Sequence, residues 1–191
     1  VLVSGLVTSI SEVVRDPGLA EITQAQIITF INDAAQDASG QGWLIWLSDS
    51  SLALAASVAV PASFAYVKDV ENASGVVIAR QYWDLRLVAS VPTVVFNSYS
   101  TPTGTGKITG YKRPNTAYVV GDTVDVGMES FLRERAASLS LERMSAGLSE
   151  LDRLRSTQAE RRFRNSELAL ERHVNFAKER LVPMLRLVPG R

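Results

Sequence analysis

Apolar residues return at three- and four-residue intervals at both ends of this chain and at alternate positions in its middle. Val3, Leu6, Val7, Ile10, Val13 and Val14 line one face of a helix, which Pro17-Gly18 ends. Thr23 with Gln26 has capping-box spacing, and Ile22 and Ile27 stand at staple positions. Ile27, Phe30, Ile31, Ala34, Ala35 and Ala38 share a face, which predicts a second helix closed by Gly40 and Gly42. The short linker predicts that the two helices form an antiparallel hairpin.

From Trp43 to Val126 the texture turns to Gly, Pro, Ser, Thr and β-branched residues. Leu52, Leu54, Val58 and Val60 alternate with Ser51, Ala53, Ser57 and Ala59 as one strand would. Further strands are expected at Val67–Val70, Val76–Ala79, Val94–Phe96, Lys107–Tyr111, Ala117–Val120 and Thr123–Val126, with Gly121-Asp122 as a tight turn between the last two. Gln81–Val88 reads as a short helix and Ser98–Gly106 as a mobile loop. After Gly127, Phe131, Leu132, Ala136, Leu139 and Met144 resume helical spacing. A break is expected at Ala146-Gly147, because Gly costs about 1 kcal/mol inside a helix, and Ser149 with Asp152 opens a new one.

A helix from Ser149 to Leu181 would run roughly 50 Å at 1.5 Å per residue. Leu151, Leu154, Phe163, Leu168, Leu170, Val174, Phe176 and Leu181 keep no strict heptad along it, so the expectation is a spoke that needs neighbouring chains. The sequence therefore predicts an α+β protein. Its parts are an N-terminal helix pair (1–42), a central antiparallel β-rich insertion (43–126), long C-terminal helices completing the helical bundle (127–182) and an extended docking tail (183–191).

Composition changes this picture little: 46% hydrophobic and 21% charged residues suit a chain with a core. The absence of cysteine excludes disulfides, thiolate metal sites and thiol nucleophiles. No apolar run is long enough to span a membrane, since even Leu52–Val60 stops at Pro61. Val1–Val14 lacks a basic front and a cleavage site and reads as mature structure, with a start at Val1 implying processing or trimmed numbering. Cytoplasmic synthesis is expected. Charge is split unevenly: residues 1–128 hold seven Lys/Arg and eleven Asp/Glu, and residues 129–191 hold thirteen and nine, so a net −4 segment precedes a net +4 one. Such asymmetry points to assembly or to a gripped partner.

Candidate chemistry is sparse. Gly104-Thr105-Gly106-Lys107 imitates a phosphate loop, but Thr101 stands where its first Gly belongs and Ile108 where its Ser/Thr belongs. His173, the single histidine, has no second histidine or cysteine with which to hold a metal, and no Gly-x-Ser-x-Gly elbow presents a nucleophile. Asp33 and Asp37 are expected on the wet face of their helix, and Asn72-Ala73-Ser74 is a sequon without an export signal. Trp43 and Trp46 are expected to pack under the helices. Arg153, Arg155, Arg161, Arg162 and Arg164 form the densest basic cluster, diluted by Glu150, Asp152, Glu160 and Glu167, with Glu160 expected to pair with Arg164. The end of the chain, with Leu181, Val182, Met184, Leu185, Leu187 and Val188 among Pro183 and Pro189, is too apolar to stay undocked.

An N-terminal helix pair whose second helix reads Thr23-Gln-Ala-Gln-Ile-Ile-Thr-Phe-Ile-Asn-Asp-Ala34, followed by Trp43, a β-rich insertion and C-terminal helices, resembles the head-to-tail adaptor proteins of tailed bacteriophages. The resemblance implies a structural, non-enzymatic virion protein without cofactor, assembled in the host cytoplasm into a closed ring of about twelve copies at the neck. The ring would sit below the portal, extend the channel through which genomic DNA passes and carry the tail or stopper proteins. It further implies portal docking by Leu181, Pro183, Met184, Leu185, Leu187, Val188 and Pro189. Arg153, Arg155, Arg161, Arg162 and Arg164 would supply ring-interface or channel charge, and Ser98, Tyr99, Thr101 and Lys107 a tail-facing loop. The alternative reading is a DNA-binding or packaging accessory protein that uses the same arginines.

Overall fold

The computed structural model describes residues 1–98, 101–145, 149–181 and 185–186, from residue 176 onward by backbone alone. It is α+β, with two N-terminal and two C-terminal helices and antiparallel sheets between them. The chain forms two compact units, one of Val1–Trp43 with Pro114–Ala177 and one of Leu44–Arg113 with Lys178–Arg191. Residues 114–126, expected in the β insertion, thus belong with the helices.

In the helical unit, α1 (Val3–Val13) and α2 (Gln24–Gly40) both pack on α3 (Glu129–Met144). Helix α1 ends in a Schellman arrangement, with Arg15 N–H on the Glu12 carbonyl and Asp16 N–H on the Ser11 carbonyl. The capping box at the start of α2 forms as expected: the Gln26 amide N–H donates to Thr23 Oγ1 and the Thr23 N–H to Gln26 Oε1. Ile22 and Ile27 are fully buried, and Phe131, Leu132 and Met128 supply the large side chains of the α3 end of the core. The valines of 117–126 do not make the expected strands. Asn32 takes both backbone groups of Tyr118, accepting from its N–H at 2.7 Å and donating to its carbonyl at 3.2 Å, while Asp122 accepts from the Val119 N–H. Side chains have claimed the groups a ladder would need. Of the hairpin there remain a turn, with Asp122 N–H on the Val119 carbonyl, and a single bridge between Thr123 and Leu2.

In the β unit, β1 (Ile45–Leu54), β6 (Gly104–Lys112), β3 (Tyr66–Glu71) and β7 (Leu185–Arg186) form one sheet in that order. The other sheet is β2 (Ser57–Ala59), β5 (Val91–Phe96) and β4 (Trp83–Val88). Both cover one core containing Leu54, Val58, Val67, Val70, Trp83, Val94, Phe96 and Ile108. The single strand expected over Leu52–Val60 is broken by a bend at Ala55-Ala56, so that its halves enter different sheets. Gln81–Val88 is not a helix: a 3-10 turn at Arg80–Tyr82 leads into β4, where Trp83 points to the core and Asp84 and Arg86 point outward. Val76–Ala79 makes only a bridge from Val77 to Glu71.

The loop expected over Ser98–Gly106 gives way to strand from Gly104, because β6 is the inner strand between β1 and β3. Its glycines fit neighbours that approach closely. A Cβ on Gly106 would come 2.6 Å from the Glu71 carbonyl oxygen, and one on Gly110 would drive into the Tyr66 carbonyl.

Candidate functional site

The last helix, α4 (Glu150–Leu181), bears the basic cluster, and the first part of its inner face is made of small residues. Ala159 and Ser166 are fully buried there, and Ser138 on α3 donates its hydroxyl to the Ala159 carbonyl at 2.9 Å. Leu170 and Val174 continue the inward face, and the His173 ring stacks on Trp43 at 4.0 Å and 6°. Trp43 in turn leans on Phe131. His173 is therefore a half-buried packing residue. On its described part, α4 is held by its own unit and is not a free spoke.

Among the described residues, the ion pairs of α4 reach α3 and the α1–α2 linker rather than running along the helix. Arg162 donates to Glu134 at 2.8 Å, and Arg155 donates to Glu21 at 2.7 Å and reaches the Met144 carbonyl. Arg135 of α3 lies 4.0 Å over the Phe163 ring, donates to Asp37, and sits 3.1 Å from Glu167 without hydrogen-bond alignment. Asp37, expected on the wet face of α2, is thus half-buried in an inter-helix pair, whereas Asp33 is exposed. The five clustered arginines divide. Arg155 and Arg162 are anchored, while Arg153, Arg161 and Arg164 are exposed and have no acidic partner among the described residues. Glu160 and Arg164 do not pair.

Where α1 meets α2, the Asp16 carboxylate is buried and accepts from the N–H groups of Ala20, Glu21 and Ile22 at 2.8–2.9 Å. These bonds, that of Ile22 foremost, hold its carboxyl below the usual carboxylate range against the cost of desolvation, and the charge of Arg155 adds to them. The residue before it, Arg15, has φ +62° at the place after a helix where glycine is the usual occupant. Arg15 also lines a concavity of about 430 Å³ with Val13, Glu134, Gln158, Arg161, Arg162 and Asn165. Arg15, Glu134, Gln158 and Asn165 belong to no motif. The sequence signal for the first is an arginine, not a glycine, directly after a helical pattern.

In the β unit, Lys107 is not a loop residue. It stands in β6 opposite Glu71 of β3 and donates to its carboxylate at 3.2 Å. With Gly104 and Gly106 in the same strand, the phosphate-loop imitation carries no loop to cradle a phosphate. Ser98 and Thr101 are exposed, and Tyr99 lies outside the described residues. Trp46 lies on β1 rather than under helices. The alternation that turns Ile45 inward exposes it, and it meets Tyr111 edge-on at 5.2 Å with Lys68 above its ring. Asn72 accepts from the Ser74 and Val76 N–H groups and so closes a turn. Of the residues expected to dock on a portal, Leu185 pairs with Val67 in β7 and Leu181 ends α4. Pro183, Met184, Leu187, Val188 and Pro189 lie outside the described residues.

Among the described residues no group of three or more His, Asp or Glu side chains is placed to hold a metal, and no helix is long and apolar enough to cross a membrane. No protein-family model matches the chain, and no curated protein matches it significantly in sequence.

Proposed function

We propose that this chain is a structural protein of the tailed-bacteriophage neck, an adaptor subunit that assembles into a ring below the portal and extends the DNA channel toward the tail. The observation that carries this reading is the plan of the chain. A helical unit is interrupted between α2 and α3 by a β unit, Leu44–Arg113, in the order of parts that the resemblance implies. The outer face of α4 supports it. Leu154 and Leu168 stand two heptads apart and are both more than half exposed. A ring neighbour would cover such a surface and meet the charge of the exposed Arg153 and Arg164 with the acidic first two-thirds of the next copy. No catalytic step is required of such a part.

Native mass spectrometry and particle images of the purified chain, alone and mixed with portal-bearing heads, test the reading. A closed ring, formed alone or on the portal, is expected. A protein that stays monomeric and ignores portal-bearing heads would overturn it. Removal of Pro183–Arg191 is expected to abolish joining to heads while leaving the helical unit folded.

A second reading rests on the three outward arginines, Arg153, Arg161 and Arg164, which make a DNA-binding accessory protein the alternative. It predicts that the isolated subunit binds duplex DNA with an affinity falling steeply with salt, by a slope of about −0.9 per phosphate contact.

A further inference from the structure

The concavity between the end of α1, α3 and α4 has the chemistry of an anion receptor. Six of its seven lining residues are polar, and they carry three guanidinium groups against one carboxylate. That carboxylate, Glu134, is already engaged by Arg162 and lies 3.5 Å from Arg133, so Arg15 and Arg161 bring positive charge with no acidic partner among the described residues. Gln158, Arg161, Arg162 and Asn165 follow the i, i+3, i+4, i+7 spacing that puts them on one face of α4. Two side-chain amides thereby join the guanidinium forks as donors. At about 430 Å³ the space falls within the range of roughly 300–1,000 Å³ typical of small-ligand sites.

Of the four non-glycine residues with a left-handed backbone, Arg15, Leu19, Ala89 and Ser90, only Arg15 lines the concavity. Arg15 occupies the left-handed position that terminates α1, where a side chain is strained and glycine would be free of strain. Nothing in the Schellman turn itself requires an arginine. Its bonds are made by backbone groups, and the neighbouring carboxylate of Asp16 supplies the capping of the linker. Strain kept at a residue whose side chain lines a charged concavity is the pattern of a functional position.

We infer that this concavity binds a phosphate group, with Arg161 and Arg15 as its principal charge partners, Arg162 held in place by Glu134, and Gln158 and Asn165 donating to the remaining oxygens. Guanidinium forks match the oxygens of a phosphate in pairs, which favours this chemistry over a single carboxylate. The phosphate comes either from a small phosphate ester or from a nucleic-acid backbone.

The test uses the full chain, with inorganic phosphate, pyrophosphate and a short DNA duplex titrated calorimetrically at low salt. Saturable pyrophosphate binding is expected, weakened at least about tenfold by Arg161→Gln, the worth of one charge-assisted bond. Arg15→Gly separates ligand binding from structure: it is expected to weaken binding while raising the thermal midpoint by roughly 2–4 °C, because it relieves the backbone. A duplex that displaces pyrophosphate, and is itself weakened by Arg161→Gln, identifies the nucleic-acid source. A duplex that leaves pyrophosphate bound identifies a small ester. Absence of saturable binding by all three probes, or binding that neither variant alters, overturns the assignment.

Discussion

The helical unit and the β unit each bring two backbones close together, and each does so with small residues. In the β unit the device is glycine: β6 runs between β1 and β3, and Gly106 and Gly110 leave no Cβ where neighbouring carbonyls and Leu54 press in. In the helical unit the device is Ala159 on α4, which is buried and whose carbonyl takes the hydroxyl of the equally buried Ser138 of α3. The glycine sites leave no room for a Cβ, whereas Ala159 and Ser138 meet with one and two side-chain atoms. Apolar periodicity reports burial where large apolar residues do the burying. It falls silent where closeness is bought with small ones.

The widest gap between the two regions is expected on adding atoms to β6. Gly110→Val places a branched side chain against the Tyr66 carbonyl, where no rotamer can relieve the overlap. A loss of about 4 kcal/mol or more is expected, at the severe end for single substitutions. The near-ultraviolet dichroism should lose the part contributed by Trp83, while that of Trp43 and the far-ultraviolet helical signal should persist if the helical unit stands without its partner. Simultaneous loss of both signals would mean that the two units fold as one cooperative block.

The corresponding change in the helical unit is Ala159→Leu, which overpacks the contact with Ser138. About 1–3 kcal/mol is expected, read from urea midpoints, since part of α4 can shift outward where a β-strand cannot. This difference also explains what the sequence disclosed. Helices α1 and α2 are legible because Val, Leu and Ile do their burying and because the capping box is a local signal. The inner face of α4 is legible only at Leu170 and Val174, because the rest of it is written in Ala, Ser and Arg. The strand at Trp83–Val88 reads as a helix because a run of so few apolar residues fits either period.

The candidate site was legible only as density. Five arginines within twelve positions are plain in the sequence, but their partners Glu21 and Glu134 lie 134 and 28 positions away, and only the fold separates anchored from outward arginines. The same holds for 117–126. Its valines are β-prone, yet Asn32, 86 positions earlier, decides the outcome by taking the backbone of Tyr118.

Acid should sharpen the comparison at the α1–α2 linker. Burial and its three backbone donors act on Asp16 in opposite directions, and the net result is a carboxyl held below its ordinary value of 3.8. A group depressed on folding contributes its full stability above its unfolded value, and that contribution is lost as pH falls through the folded one. Asp16→Asn should therefore lower the urea midpoint near neutrality, with the gap to the unaltered protein narrowing below about pH 4. Asp49, Asp84 and Asp152 are also depressed, but they are common to both proteins and drop out of the difference. A gap that stays constant down to strong acid would mean that shape rather than charge is what Asp16 supplies.

The smallest effect separates two explanations of the helical contact. Ser138 both donates to the Ala159 carbonyl and is small, and Ser138→Ala keeps the size while removing the donor. A loss of about 0.5–1.5 kcal/mol is expected from one hydrogen bond, with no buried donor left behind to add to it. If closeness positions α4, Ser138→Ala should cost less than Ala159→Leu, and the pairs Arg162–Glu134 and Arg155–Glu21 should survive it, as seen in unchanged coupling energies from double-mutant cycles. If Ser138→Ala instead weakens both ion pairs, the hydroxyl is the pin that sets the register of α4, and the small residues only make room for it.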